Sequence, residues 1–120
     1  MGRTYDNGFR SLIAWKEAKK LTIKIYNFTK RFPKEEMFSL VSQLRRAASS
    51  VMANIAEGSA MPTKAHRDTF YFRARGSVVE VDCHIDLAAT LKYVSEAEQQ
   101  DVQDHCARLT YLLTRLIQSK

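Results

Sequence analysis

The sequence predicts an all-α fold, a single domain built as an antiparallel, up-down four-helix bundle. Three observations lead to this prediction. Apolar residues recur every three or four positions along most of the chain, which is the period of a helix with one buried face. No stretch alternates polar and apolar residues as a strand does. Only 4 Gly and 2 Pro occur in 120 residues, too few for the many turns of a small all-β fold.

The length fits one core, with residues 1–10 predicted as a polar tail and residues 11–120 as the bundle. No apolar stretch approaches the ~20 residues that cross a membrane, and residues 1–10 lack the apolar segment of a secretion signal. A cytoplasmic location is therefore expected. In that compartment Cys83 and Cys106 are expected to be packing residues and not a disulfide.

The first helix is predicted to begin with Ser11 as its N-cap and to end at Phe32-Pro33, because the residue before a proline disfavours helical geometry. Opposite its apolar side, lysines recur at every fourth residue. This predicted lysine ridge consists of Lys16, Lys20 and Lys24. The predicted buried face consists of Leu12, Trp15, Ala18, Thr22, Ile25, Phe28 or Thr29, and Phe32.

The second helix is predicted to open at Lys34, with Glu35 and Glu36 in its first turn, where the helix dipole favours acids. A restart with Ser42 as the cap is an alternative that the sequence leaves open. Gly58 is predicted to end this helix as its C′ residue. The predicted buried face consists of Leu40, Leu44, Ala47 or Ala48, Val51 and Ile55.

After a loop at residues 59–63, Thr63 is predicted to cap the third helix. Gly76 lies in the middle of that helix and is interpreted as a point of close helix–helix approach. Ser95 and Glu98 fit a capping box that starts the fourth helix. The predicted buried residues of these two helices are Ala65, Phe70, Ala74, Ser77 or Val78, Val81, Ile85 and Ala88, then Val102, Cys106, Leu109, Leu113 and Leu116.

A polar stripe flanks the apolar face of the second helix and comprises Gln43, Arg46, Ser50, Asn54 and Glu57. It has two interpretations, a solvated face or a hydrogen-bonded network packed against another helix or subunit. An antiparallel third helix would bring Arg46 level with Gly76 and Ser77, one turn from Glu80. Arg46 or Arg45 is therefore expected to pair with Glu80.

The segment from Ser42 to Ala48, Ser-Gln-Leu-Arg-Arg-Ala-Ala, followed by Asn54-Ile55-Ala56-Glu57-Gly58, resembles a known family signature. It is similar to the four-helix bundle proteins encoded in intervening sequences of bacterial 23S ribosomal RNA genes, and to accessory proteins of diversity-generating retroelements. The resemblance extends over roughly residues 9–117. The chain departs from the family at Ser39 and Lys92, where glycine is usual, and at His84, where glutamine is usual.

The resemblance implies a ring-like homo-oligomer, commonly a pentamer, that binds other molecules and carries no catalytic residues. For the retroelement branch it implies contact with nucleic acid and with a reverse transcriptase. The family-motif polar network, expected to serve packing and assembly, comprises Gln43, Arg45, Arg46, Asn54, Glu57, Ser77 and Glu80. Aromatic residues that cannot all point inward also predict self-association; they are Trp15, Phe38, Tyr71 and Phe72.

The net charge of +6 lies entirely in residues 1–60, because residues 61–120 carry equal numbers of acidic and basic residues. This asymmetry favours an anionic partner such as RNA or DNA, although solubility alone also explains a moderate charge. Without a known recognition motif, binding would be to the backbone and weakly sequence-specific. The candidate nucleic-acid-binding residues are Lys16, Lys20, Lys24, Lys30, Arg31 and Lys34, with Arg3 and Arg10 in the tail.

No enzyme motif is present: there is no Gly-rich phosphate loop, nucleophile elbow or His-Glu-x-x-His. The best metal candidates are Glu80, Asp82 and His84 with Asp101, Asp104 and His105, but they lack the Glu-x-x-His spacing of bundle di-iron sites. No metal, cofactor or catalysis is therefore expected. The sequence favours a non-enzymatic, oligomeric protein that contacts RNA or DNA. The alternative is a structural scaffold, for example an accessory subunit of a nucleic-acid enzyme.

Overall fold

A computed structural model describes residues 8–119 and consists of four helices: α1 (Ile13–Thr29), α2 (Leu40–Ser59), α3 (Lys64–Thr90) and α4 (Glu96–Gln118). Consecutive helices pack together and α1 also packs against α4, which closes an antiparallel, up-down bundle. No strand occurs within residues 8–119, and the predicted fold class is confirmed. None of the described helices is long and apolar enough to cross a membrane. Residues 1–7 of the predicted tail, including Arg3, lie outside the described residues.

The core is one continuous set of aliphatic side chains contributed by all four helices. Burial of each large side chain contributes roughly 1.5–3 kcal/mol relative to exposure. The largest fully buried residues are Leu21, Ile25, Leu44, Val51, Ile55, Val78, Val81, Ile85, Val102, Leu109 and Leu113. On α1, Leu21 joins the predicted face, while Trp15 and Phe28 pack at its edge, partly buried.

Both predicted ends of the first helix are wrong by a short distance. Ser11 belongs to a 3-10 helix, Phe9–Ser11, and its hydroxyl donates to the Gly8 carbonyl, so Leu12 takes the N-cap position without a side-chain cap. At the other end α1 stops at Thr29 and not at Phe32. The ring of Pro33 would collide with the carbonyl of a residue four positions earlier in a continuing helix, and that residue is Thr29.

The start of the second helix is also later than predicted. Lys34–Glu36 form a separate 3-10 helix, and α2 begins at Leu40. The alternative of a restart is closer to this result, but Ser42 is not the cap. Ser39 occupies the N-cap position, yet its hydroxyl donates to Glu36 Oε1 at 2.7 Å and makes no capping bond.

Neither of the two interior glycines has the role predicted for it. Gly58 does not end α2, which continues to Ser59. It is buried, and a Cβ there would lie 2.8 Å from Cε1 of Tyr71. Gly76 is exposed, and a Cβ there would have no neighbour within 4 Å. The close α2–α3 approach is therefore at Gly58, where the buried ring of Tyr71 takes the core position predicted for Phe70.

The predicted caps of α3 and α4 are confirmed. The Thr63 hydroxyl accepts from the His66 backbone N–H, and Ser95 with Glu98 forms a complete capping box. Between these helices, Lys92 has φ 67°, the left-handed conformation that favours glycine. The chain thus places a lysine at the turn position where its resemblance implies glycine.

Candidate nucleic-acid interface

The predicted lysine ridge divides into an exposed part and a part that faces α4. Lys16 and Lys20 are exposed on the outer side of α1, and Lys20 Nζ lies 3.2 Å from Glu17. Lys24 is only 23% exposed; its Nζ is 3.0 Å from Asp101 Oδ1 and 3.2 Å from Nδ1 of His105. Successive steps of four residues advance about 40° around a helix. Three such lysines therefore wind from solvent towards the α1–α4 boundary, and Lys24, at the end of the predicted ridge, contacts α4.

The three cations after α1 also differ in their surroundings. Arg31 Nη2 lies 2.6 Å from Glu98 Oε2 on α4, and its guanidinium lies 5.5 Å from the centre of the Phe28 ring. Lys30 and Lys34 are exposed and make no ion pair within residues 8–119. Lys19, which the spacing analysis missed, is exposed on α1 with its ammonium 5.5 Å from the centre of the Trp15 ring. Its step of three from Lys16 is the pattern that would have found it.

His105 occupies the centre of the α1–α4 boundary in its neutral form. An ammonium can only donate, so Lys24 donates to Nδ1, and Nε2–H of His105 donates to the backbone carbonyl of Glu17 at 2.9 Å. Burial, and then the charge of Lys24, lowers the pKa of His105 below 6.5. Although burial opposes it, the hydrogen bond and charge of Lys20 and the charge of Arg108 lower the pKa of Glu17.

The family-motif polar residues form two separate groups. On the seam between α2 and α3, Arg46 Nη2 donates to Glu80 Oε2 at 2.5 Å and to Gln43 Oε1 at 2.8 Å. The predicted pairing of Arg46 with Glu80 is confirmed. Arg45 does not join it. Its Nε donates to Thr29 Oγ1 at 2.9 Å and its guanidinium lies 4.5 Å from the centre of the Tyr26 ring, on the α1 side.

A second polar contact continues the α2–α3 seam towards the loop. The hydroxyls of Ser50 and Ser77 lie 2.9 Å apart, and the Asn54 amide donates to both the carbonyl and the hydroxyl of Ser50. Ser50 and Asn54 are half-buried, whereas Glu57 is exposed. The network interpretation therefore holds within one subunit at Arg46 and Ser50, which bond to Glu80 and Ser77 of α3. Gln43, Arg46 and Glu57 are nevertheless exposed to solvent.

The metal candidates do not converge. Nε2 of His84 is 3.7 Å from Glu80 Oε2, but Glu80 is already bonded to Arg46, and His105 accepts from Lys24. Within residues 8–119 no three His, Cys, Asp or Glu side chains are grouped to hold a metal ion. Burial raises the pKa of Cys106 to about 12, so this thiol is protonated at neutral pH and packs as an apolar group.

Comparisons with known proteins identify one family. Residues 10–115 match the family model of the 23S rRNA-intervening sequence protein. Among solved structures, the fold is similar to the crystal structure of a protein with unknown function from the S23 ribosomal protein family of Bacteroides thetaiotaomicron. The TM-score is 0.82 at 18% identity, covering 89% of this chain and 100% of that chain. Comparison with curated protein sequences gives no match.

Proposed function

The chain belongs to the 23S rRNA-intervening sequence protein family, and on this premise we propose that it is a non-enzymatic, homo-oligomeric protein that binds RNA or DNA. The contact is made by the outer surface of α1 and engages phosphates without selecting bases. Because RNA and DNA are found in the cytoplasm, that compartment is proposed for its action. No cofactor takes part.

The observation that supports this proposal is a group of exposed lysines on one side of α1. We define this group as the α1 basic surface; its members are Lys16, Lys19, Lys20 and Lys30. At 1.5 Å per residue it extends about 21 Å along the helix and its C-terminal continuation. Only Lys20 in this group has an ion-pair partner within residues 8–119, namely Glu17. The group therefore presents cations that solvent or an anionic partner must balance.

The chemistry of this surface favours electrostatic binding over base recognition. Lysine is a flexible point charge that suits phosphate and reads no base edge by itself. The aromatic rings beside these lysines each carry a cation of this chain on one face: Lys19 on Trp15, Arg45 on Tyr26 and Arg31 on Phe28. Each phosphate contact would release condensed counterions, so affinity should fall steeply with salt.

Self-association would multiply this charge. The resemblance implies a ring, commonly of five copies, and five copies at +6 each would carry on the order of +30. Exposed apolar side chains on the described surface also support association, since Phe38 is 96% exposed and Val79 is 65% exposed.

The second candidate function is a structural scaffold, such as an accessory subunit of a reverse transcriptase. The observation that favours it is the engagement of Lys24 and Arg31 by acids of α4. These two cations act within the bundle, which leaves fewer charges for a polyanion than the sequence predicts.

The test is a salt titration of a generic single-stranded RNA and a DNA duplex against three proteins. The first is the wild type, and the second carries Lys16→Gln, Lys19→Gln and Lys20→Gln. The matched control carries Lys64→Gln, Arg73→Gln and Lys92→Gln, which removes an equal positive charge from α3 and the turn after it, away from α1. For single-stranded RNA, loss of three phosphate contacts should reduce the slope of log K against log salt by about 2.

The control should keep the wild-type slope and affinity. An unchanged slope in the α1 triple variant, or equal losses in the two triple variants, would refute the α1 basic surface. Failure of the wild type to bind either nucleic acid at ~50 mM salt would support the scaffold function instead.

A further inference from the structure

The outer side of α3, directly opposite its core face, is apolar. We define this α3 outer stripe by five residues at helical steps of three and four: Phe72, Gly76, Val79, Cys83 and Leu87. At 100° per residue all five lie within about 80° of one another, while the buried Ala74, Val81 and Ile85 lie on the other side. The stripe runs about 22 Å along the helix at 1.5 Å per residue.

This stripe is open to solvent in the isolated subunit. Phe72 is 49% exposed, Val79 is 65% exposed and Leu87 is 48% exposed. The two intervening positions are small, and the space beside Gly76 is empty to at least 4 Å. A surface helix ordinarily has one apolar face towards its core and a polar face opposite, so apolar residues on both sides indicate a second covering element.

The charges along one border of the stripe indicate what covers it. Arg75 lies towards the N-terminal end, and Asp82 and Asp86 lie towards the C-terminal end. Residues 75, 82 and 86 fall within about 40° of each other on the flank facing α4, where Arg75 reaches Thr114 and Asp82 accepts from Gln103. The border is thus positive in one half and negative in the other. In an antiparallel pair of helices, the positive half of one copy would face the negative half of the other.

We propose that the α3 outer stripe packs against the α3 outer stripe of a second copy of this chain, antiparallel, with a two-fold axis near Val79. In such a pair the same flanks of both helices meet. Arg75 of one copy then lies level with position 83 of the other, between Asp82 and Asp86. Gly76 and Cys83 let the helices approach closely around Val79.

The alternative orientation is electrostatically unfavourable. In a parallel copy in register, opposite flanks of the two helices would meet, which would place Arg75 near Arg73 of the other copy and Asp82 near Glu80, and such like-charge contacts are destabilising. In the antiparallel pair the flanks that face α2 also meet, and there Glu80 of each copy is already paired with its own Arg46. The antiparallel pair is therefore the arrangement that matches both the apolar stripe and its charged border.

This inference rests on the self-association in the proposed function, and it adds a two-fold axis between two chains. A two-fold contact cannot close a ring of five by itself, so it joins two chains, or two rings. The assembly should then contain an even number of chains: two, or ten if rings of five form. The α1 basic surface stays accessible, because α1 and α3 are diagonal in the bundle and make no contact.

The test is sedimentation equilibrium at micromolar concentration on the wild type, on Val79→Glu and on a matched control, Ile23→Glu. Ile23 is a comparably exposed aliphatic residue on α1, at 53% against 65% for Val79. Val79→Glu should halve the wild-type mass and Ile23→Glu should leave it unchanged, with helical circular dichroism retained by all three. Arg75→Asp and Asp86→Arg should each weaken the pair, and the double variant should restore it.

The outcomes separate the two proposals. A wild-type pentamer whose mass is unaffected by Val79→Glu overturns the α3 contact and leaves a ring in place. A wild-type monomer overturns self-association and the α3 contact together. Failure of the Arg75→Asp and Asp86→Arg double variant to restore the mass overturns the antiparallel orientation.

Discussion

Replacing each interior glycine by alanine separates a packing penalty from helix propensity. Both Gly58 and Gly76 lie inside helices, so alanine at either position gains about 1 kcal/mol of helix propensity. At Gly58 the new Cβ would also meet Cε1 of Tyr71 at 2.8 Å and Cβ of Phe70 at 3.1 Å. The Phe70 Cβ is fixed to the backbone and the Tyr71 ring is buried, so neither can withdraw without disturbing the α2–α3 contact.

Overpacking of this kind costs about 1–3 kcal/mol. Gly76→Ala should therefore raise the free energy of unfolding by about 0.5–1 kcal/mol. The free energy of unfolding of Gly58→Ala should be about 1–3 kcal/mol lower than that of Gly76→Ala. Because the propensity gain is common to both variants, their difference measures the packing penalty alone. Urea unfolding followed by far-UV circular dichroism gives both free energies, with Val79→Glu as the background so that the proposed α3 contact does not contribute. Equal free energies of unfolding for the two variants would refute the assignment of the close approach to Gly58.

Two further predictions concern a turn and a buried histidine. Lys92→Gly should raise the free energy of unfolding by about 0.5–1 kcal/mol, since φ 67° strains a residue with a Cβ and not glycine; a lower melting temperature would contradict this. Burial and the charge of Lys24 lower the pKa of His105 from 6.5. Below pH 6.5 the unfolded chain therefore binds a proton that the folded chain does not. The free energy of unfolding should decrease as the pH is lowered from 6.5 to the folded-state pKa of His105. His105→Gln should flatten that dependence, and a pKa of 6.5 or more for His105 by NMR titration would show the reasoning to be wrong.

Local signals made the fold predictable. Apolar spacing identified four helices, and the caps at Thr63 and Ser95 needed only residues within one turn. The role of a glycine is different, because it depends on what lies opposite in space. Gly58 sits near a loop and has the local appearance of a helix terminus, yet Tyr71 from the next helix determines its role. Pro33 shows that a local rule can also be misapplied, since its effect reaches back four residues to Thr29.

The candidate site was predicted less well, because net charge per half of the chain takes no account of which helices are neighbours. By residue type, α1 carries a net charge of +3 and α4 a net charge of −2. In an up-down bundle these two helices are adjacent and antiparallel, so the start of α4 lies level with the end of α1. That topology, already implied by the sequence, brings Glu98 to Arg31 and Asp101 to Lys24.

The same topology explains which cations of α1 have no acidic partner on α4. All four acids of α4, Glu96, Glu98, Asp101 and Asp104, fall in its first nine residues. The N-terminal half of α1 therefore faces a part of α4 that carries Arg108 and Arg115 and no acid. For this reason Lys16 and Lys19 have no ion-pair partner within residues 8–119. The partner of Lys20 is Glu17, which also lies 3.3 Å from Arg108. A polyanion that binds this bundle should therefore contact Lys16, Lys19 and Lys20, with Lys30 at the far end of the α1 basic surface, and not Lys24.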